Sequence, residues 1–458
     1  MTDYDLAIIG SGGAAFGAAI EARRQGAEVV MVERGTVGGT CVNVGCVPSK
    51  ALLAAAKAYH TTTSHPFAGL PTGTGPVDLA ALVGQKDKLV AGMRQHKYLD
   101  LAHTHGFEIV QGEASFEDPD TLTVDGHDLR AKRYLVATGA TPAIPPLPGL
   151  AEAGYLTSTT AMGRMTVPRR LVTIGGGFVG LELGQLFARL GAQVSIIGRL
   201  APWAEPELAA RLGHLLGEEG IGVVAARATA VERHGDTRVV HTDRGHSVEG
   251  DAVLVATGRR ANVDALDPGV ADVRLDDRGF VAVDETLRTS NRRVFAAGDV
   301  VGGPQFVYVA AAQGHLAAAN ALGDRYDAID YRGLPDVTFT DPQLANAGMT
   351  EAQALAAGHR CDCRVLDLDN VPRALVEHDT RGAIKLVADS QTGKVLGVHA
   401  LAHGAGDLIL AAVYAIKYGL TVADLADTWA PYLTMGEALR LAAQSFTRPV
   451  DQLSCCAA

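Results

Sequence analysis

The chain has little cysteine, 6 in 458 residues. That is too sparse for a secreted scaffold stapled by disulfides. It also lacks any uninterrupted apolar run of about 18 residues, so no membrane span is expected. Positive charge is short as well. Lys and Arg number 40 against 51 Asp and Glu, a net charge of −11, and no basic stripe interrupts the acidity. Nucleic acid is therefore not an expected partner. No basic and apolar leader precedes the strand-like residues 5–10. The expectation is a cytoplasmic protein whose cysteines stay reduced unless chemistry oxidises them. Disorder is excluded too, because 47% of the residues are hydrophobic.

Glycine, by contrast, is abundant, 53 residues of 458, and it gathers at turns between strands and helices without a collagen-like period. Two segments look like copies of one unit. Leu6-Ala7-Ile8-Ile9-Gly10-Ser11-Gly12-Gly13-Ala14-Ala15 leads through a helical stretch to Gly26 and a strand at 29–32. Leu171-Val172-Thr173-Ile174-Gly175-Gly176-Gly177-Phe178-Val179-Gly180 leads likewise to Gly191 and a strand at 194–197. Gly10 to Gly26 and Gly175 to Gly191 both span 16 positions. A single glycine loop is weak evidence; two in register, each opening a helix after a strand, read as two βαβ dinucleotide folds. Later strands end in the same word, Ala137-Thr138-Gly139 and Ala256-Thr257-Gly258, so Thr138, Gly139 and Gly258 join the candidate cofactor residues.

Glycine lets the backbone approach a pyrophosphate, and the helix N-terminus offers free N–H groups to its charge. Gly10 and Gly12 are thus candidates at the first site, and Gly175, Gly177 and Gly180 at the second. The sites differ at the acidic position. Glu33, 23 residues after Gly10, can accept adenosine ribose hydroxyls; the same offset in the second unit reaches Gly198, followed by Arg199. Losing the acid and gaining a cation suits a 2′-phosphate, so the second site is expected to take NADPH. A surface role for Arg199 is the competing reading.

The proline-rich residues 141–149 mark the exit from the first fold, and the turn at 294–299 returns to it. The pattern changes near residue 335 to strands and helices of an α+β kind. The expected division is a first dinucleotide-binding domain at 1–150, an NADPH-binding domain at 151–280, a segment returning to the first fold at 281–335 and an α+β domain at 336–458.

The most specific word is Gly38-Gly39-Thr40-Cys41-Val42-Asn43-Val44-Gly45-Cys46-Val47-Pro48-Ser49-Lys50. Two cysteines with four residues between them are expected to open a helix that continues past Lys50. A helix N-terminus and a nearby cation favour thiolate. No other Cys or His pair in the sequence completes a structural zinc site.

This word, with two nucleotide folds, resembles the flavin disulfide reductases (class I pyridine nucleotide-disulfide oxidoreductases), the family of glutathione reductase and lipoamide dehydrogenase. The resemblance covers nearly the whole chain. It implies α/β architecture: two Rossmann-like dinucleotide-binding domains, glutathione-reductase-like, plus the α+β dimerisation domain. It also implies FAD on the first fold, a pyridine nucleotide on the second, and a redox-active Cys41–Cys46 pair. Cys46 resembles the flavin-facing thiol and Cys41 the interchange thiol. Lys50 and Glu182 match an ion pair beside the flavin, and Asp299 matches a flavin ribityl contact. Ala15, Gly35, Thr40, Ala114 and Val307 fall at positions that line FAD.

Two departures narrow the substrate. Family members acting on organic disulfides carry a His-Glu dyad near the C-terminus, the histidine moving protons for a thiol leaving group. Here Glu437 is retained but Tyr432 stands at the histidine position. A phenol with pKa about 10 is a poor proton shuttle at neutral pH. The second departure is the tail, Leu453-Ser454-Cys455-Cys456-Ala457-Ala458. Two adjacent thiols suit a soft metal ion. Together with Asp369-Asn370-Val371-Pro372-Arg373-Ala374 and Gln305-Phe306-Val307-Tyr308, these features resemble the mercuric reductases within that family, although Ala458 stands where they usually have Gly. The resemblance implies that Cys455 and Cys456 capture Hg(II) and pass it to Cys41 and Cys46. It implies a homodimer whose tail serves the opposite subunit, with Tyr98 and Tyr432 as pocket tyrosines. Packing at a domain interface is the competing role for both tyrosines. Such proteins often carry an N-terminal metal-binding domain; here the flavin fold comes first, so small thiols or a mercury-carrying thiol protein are expected to deliver the ion.

Two other readings stay open. One is a thioredoxin-reductase-like enzyme acting on an organic disulfide. The other is a non-enzymatic flavoprotein that sequesters metal on thiols. Cys361-Asp362-Cys363, near His359, is assigned no role; alternating thiols on a surface strand is the simpler reading.

Overall fold

The computed structural model describes residues 4–323 and 326–452. Its first sheet is parallel, in the order Val294–Ala296, Ala131–Val136, Tyr4–Ile9, Val29–Glu33, Glu108–Gln111. Leu6, Ala7, Ile8 and Ile9 are all buried. A continuous apolar run is what a parallel strand covered on both faces requires. The helix Gly13–Arg24 lies against Val307–Leu322, with Gly17 facing the Ala311 carbonyl and Gly314 facing that of Ala14. The segment after residue 290 thus supplies both an edge strand and a helix to the first fold.

The second sheet, also parallel, runs Gly222–Val224, Gln193–Ile197, Arg170–Ile174, Ala252–Val255. Each parallel sheet is accompanied by a three-stranded antiparallel one: Ala114–Asp118, Thr121–Val124 and His127–Leu129 by the first, Ala228–His234, Thr237–Thr242 and Ser247–Gly250 by the second. Short hairpin strands of this kind carry too little periodicity to be predicted.

The third sheet is antiparallel, in the order Pro335–Thr338, Gln343–Gly348, Val395–Ala402, Ala383–Asp389, Cys361–Asp367. One face, with Ile384, Leu386, Val398 and Ala400, packs on helices Ala405–Tyr418 and Gly436–Gln444. The other face carries Asn346, Lys385 and His399, all buried. Lys385 meets Glu205 at 3.0 Å, Glu207 at 2.6 Å and Glu351 at 2.8 Å. Polar groups so deeply placed must be paired, and these are. Near the junction of all three sheets, Arg189 pairs with Asp341 at 2.9 Å and Glu219 at 2.6 Å, and Lys57 reaches Asp341 at 3.3 Å. Among the described residues, no helix is long and apolar enough to cross a membrane.

Candidate active site

The first glycine loop crowds backbone on backbone. Gly10 has φ 104°, and a Cβ there would lie 2.4 Å from the Ala137 carbonyl oxygen. The second copy repeats this at Gly175, φ 117°, where a Cβ would lie 2.2 Å from the Ala256 carbonyl oxygen. Gly12 and Gly177 cap the following helices, Gly13–Arg24 and Phe178–Arg189, with no side chain bonding the helix N–H groups. Those donors are open to an anion.

Glu33 ends its strand with its carboxylate accepting from Ser11 Oγ at 2.5 Å and the Gly35 N–H at 2.6 Å. Ser11 Oγ in turn accepts from the Gly38 N–H at 3.1 Å, so the acid, the loop and the cysteine segment share one network. Ala15 is buried in the first helix. Ala114 follows Gly112, whose N–H donates to the Glu33 carbonyl. Val307 opens the helix beside Gly13. Thr138 Oγ1 is buried without a hydrogen-bond partner among the described residues, next to the Gly10 turn and followed by Gly139. Open helix donors, an orphaned hydroxyl and a fixed carboxylate fit a dinucleotide such as FAD. At the second site Gly180 presses on the Gly175 carbonyl, Arg199 is exposed beyond Gly198, and Gly258 has φ 121°. A glycine loop with a solvent-facing cation, lacking an equivalent of Glu33, fits a phosphorylated nucleotide.

The cysteine word forms two helices rather than one. Cys41 lies in Gly39–Val44 and Cys46 begins Cys46–Thr63. Gly45 makes the break, tucked so closely that a Cβ would lie 2.8 Å from the Thr40 carbonyl. Pro48, which has no N–H to give, fits in the first turn of the second helix. Gly39 is packed against Gly12, where its Cβ would come within 2.6 Å of the Gly12 Cα, so the thiols are held at the nucleotide loop.

Both thiols are free, Cys46 exposed and Cys41 half-buried. Cys41 donates to Cys46, which together with the charge of Lys50 outweighs burial and brings the Cys46 thiol down to about 7. That same bond, with burial, pushes Cys41 far up. Cys46 is therefore the thiol of the pair that ionises near neutral pH, while Cys41 keeps its proton. Lys50 Nζ meets Glu182 at 2.7 Å and lies 4.5 Å over the Phe339 ring; Glu182 also accepts from the Phe339 N–H at 3.0 Å.

Three neighbours escape a sequence reading. Arg259 is half-buried near Cys46; it donates to the Ala140 carbonyl and to Thr40 Oγ1 at 3.5 Å, and stands 3.6 Å from Asp299. Burial raises the Asp299 carboxyl and Arg259 opposes this. Tyr308 donates to the Pro335 carbonyl at 2.5 Å, and burial, then Asp336 and Cys46, push its phenol up. Phe178 stacks on Trp203 at 3.8 Å. Only the second-loop position of Phe178 hinted at its place; Arg259 and Tyr308 are set by long-range folding. Tyr98, edge-on to Phe16 at 4.8 Å, lies near the thiols, and burial, then Cys41 and Cys46, push its phenol up to about 12.

Tyr432 is half-exposed in the segment before Gly436–Gln444. Glu437 is 1% exposed, and its Oε2 has no hydrogen-bond partner among the described residues. Cys455 and Cys456 lie outside the described residues.

Two nucleotide-type loops converging on a thiol–thiolate pair with a Lys–Glu bridge define a flavin-dependent dithiol oxidoreductase. The chain belongs to the pyridine nucleotide-disulphide oxidoreductase family: that family's model matches residues 4–314, and its dimerisation domain matches residues 334–443. Membership implies FAD, a nicotinamide dinucleotide and a homodimer. Among its relatives, a mercuric reductase of Staphylococcus aureus is 49% identical, over 99% of this chain and 84% of that protein. A mercuric reductase of Streptomyces lividans is 52% identical, over 100% of this chain and 99% of that protein. Among solved structures, the HOCl-induced flavoprotein disulfide reductase RclA from Escherichia coli superposes with TM-score 0.87 at 28% identity, over 96% of this chain and 99% of that one.

Proposed function

We propose that the chain reduces Hg(II) to Hg(0) with NADPH, using Cys41 and Cys46 as the thiols that present the metal for reduction. The observation that carries this reading is the full-length similarity, at 49% and 52% identity, to proteins named mercuric reductase. In balance, NADPH and Hg(II) become NADP+, one proton and Hg(0).

Bound FAD would supply the two-electron relay between the nicotinamide and the thiol-held metal. Gly10, Gly12, Ala15, Glu33, Gly35, Thr40, Ala114, Thr138, Gly139, Asp299 and Val307 would hold it. Gly175, Gly177, Gly180, Arg199 and Gly258 would hold NADPH.

The chain's own groups handle the metal. The Cys46 thiolate replaces one thiolate on an arriving mercury bis-thiolate. Cys41 then replaces the second, and the proton it releases balances the one its departing thiolate takes up. Each Hg–S bond broken is matched by one formed, so no bare ion is desolvated. Lys50, tied to Glu182, and Arg259 keep the Cys46 sulfur anionic between turnovers. Tyr98 stays protonated at neutral pH and serves as a neutral oxygen ligand or hydrogen-bond donor. Cys455, Cys456 and Tyr432 of the opposite subunit complete the entry route in this reading. Tyr432 has no imidazole's proton affinity, which suits a metal relay better than organic disulfide exchange.

The test follows NADPH oxidation with Hg(II) and excess thiol while mercury vapour is trapped. Hg-dependent turnover releasing Hg(0) is the expected result. Good turnover on an organic disulfide or thioredoxin, with none on Hg(II), would sink the proposal. A higher kcat/KM for NADH than for NADPH would remove Arg199 from its assigned role.

A further inference from the structure

Cys361 and Cys363 are the cysteines that the redox reading leaves unused. They sit on Cys361–Asp367, the edge strand of the third sheet. Cys361 is paired with Asp389 and Cys363 with Val387, so the two thiols share a face. Asp362 and Arg364 take the opposite face, where Arg364 lies over Phe446 and donates to the Ser445 carbonyl. Both thiols are free and half-buried, and they pack with Met349 against Ala354, Val387 and Leu396.

Residues two apart on a strand have Cα atoms about 6.8 Å apart, the outer edge of disulfide reach, with Cβ vectors parallel rather than converging. An ion between the sulfurs spans that gap better than a direct S–S bond. Among the described residues, no group of three or more His, Cys, Asp or Glu is arranged to hold a metal. Zinc, which seeks four such ligands, is poorly served. A pair of sulfurs suits a soft ion content with two.

Charge decides the oxidation state. The groups facing these thiols include Glu351, Asp389 and Glu205, and the cation among them, Lys385, is already shared by three carboxylates. Two bare thiolates would have to share Lys385 with those three carboxylates. Two thiolates on a dication form a neutral unit that needs none, whereas a monovalent ion leaves one negative charge among acids.

We propose that Cys361 and Cys363 form a second soft-metal site, a two-coordinate bis-thiolate site for Hg(II) apart from the redox pair. Binding turns two thiols and Hg(II) into two Hg–S bonds and releases two protons. The choice of ion rests on the proposed reductase reading; the geometry of the pair does not.

The test uses the full-length flavoprotein carrying Cys41→Ser, Cys46→Ser, Cys455→Ser and Cys456→Ser. This variant keeps only Cys361 and Cys363 and cannot turn over, so its result is independent of the reductase assay. It is mixed with Hg(II) and excess 2-mercaptoethanol, gel-filtered and analysed for mercury and flavin. Retention of one Hg(II) per chain is expected, with both thiols protected from N-ethylmaleimide. Adding either Cys361→Ala or Cys363→Ala should remove the whole equivalent while flavin content holds. Should either substitution cost the flavin, the maleimide protection in the parent variant decides. No retained mercury, mercury retained by a single thiol, or equal retention of Zn(II) overturns the site.

Discussion

Cys41 with Cys46 and Cys361 with Cys363 are both close pairs of free thiols, yet their surroundings oppose each other. In the first pair Cys46 starts a helix, Lys50 and Arg259 stand near, and one thiol is brought down to about 7 by its partner and that lysine. The second lies on a strand edge among Glu351, Asp389 and Glu205, and burial followed by Glu351 pushes Cys363 up to about 12. Reactivity therefore follows from the charges each fold brings to the sulfur. Backbone form contributes in the same direction, since a helix N-terminus favours an anion and a strand has almost no net dipole.

The largest expected effect separates the pairs by activity. Cys41→Ser or Cys46→Ser should lower Hg-dependent NADPH oxidation by roughly three orders of magnitude or more, the scale of losing a reacting group. Cys361→Ala with Cys363→Ala should leave steady-state turnover within about twofold, as substitutions remote from the chemistry do. Turnover that survives the first change and falls with the second would reverse the comparison.

Next comes stability, which leans on the cation beside the second pair. Burial disfavours the Lys385 charge, but hydrogen bonds to Glu207, Glu351 and Glu205 outweigh it and raise the ammonium pKa. A raised pKa stabilises the fold below the lysine's unfolded value of about 10.4 and loses that contribution as pH rises through the folded one. Lys385→Met leaves Glu205, 2% exposed, without its main partner and should cost about 3 to 5 kcal/mol in denaturant unfolding at pH 7. A loss below about 1 kcal/mol would mean that the carboxylates take up protons or water instead.

Lys50→Met acts on the first pair alone. Removing that charge should raise the Cys46 pKa above about 7 by on the order of one unit and slow its alkylation roughly fivefold at neutral pH. The pH profile of iodoacetamide reaction with the reduced enzyme reads this. An unmoved profile would assign the thiolate to Cys41's hydrogen bond and the helix end.

The two pairs also differ in how much of them the sequence discloses. Glycine spacing exposes both nucleotide folds, because Gly10 and Gly175 must each let a carbonyl pass where a Cβ would collide. The Cys41–Cys46 word is local and dense, so its chemistry is readable, and the family resemblance supplies Glu182, 132 residues from Lys50. The Gly45 break is missed since the stretch reads as one helix until Thr40 is seen to crowd that glycine. Arg259 and Tyr308 reach the thiols only through tertiary folding; their neighbours Gly258 and Val307 mark the nucleotide sites but not an approach to the cysteines. For Cys361-Asp362-Cys363 the alternation of sides is legible, but Glu351, Lys385 and Glu205 come from elsewhere in the chain, and they set the charge.

The smallest effect tests the contrast by sign. Glu351→Gln removes an anion that, after burial, raises both Cys361 and Cys363. Lys385 keeps Glu205 and Glu207, so the local pairing survives. Because the Glu351 side chain is 42% exposed, solvent screens most of its field, and the gain should be only about threefold in thiol alkylation rate. The direction carries the argument: removing an anion speeds one pair, while removing a cation slows the other. Salt should shrink the Glu351→Gln effect further and leave the Lys50→Met effect largely intact, since Lys50 is two-thirds buried against Glu182 and Phe339. Slower alkylation of Cys361 and Cys363 in Glu351→Gln would mean that their reactivity is governed by access along the strand edge, and the electrostatic contrast would then hold for the redox pair only.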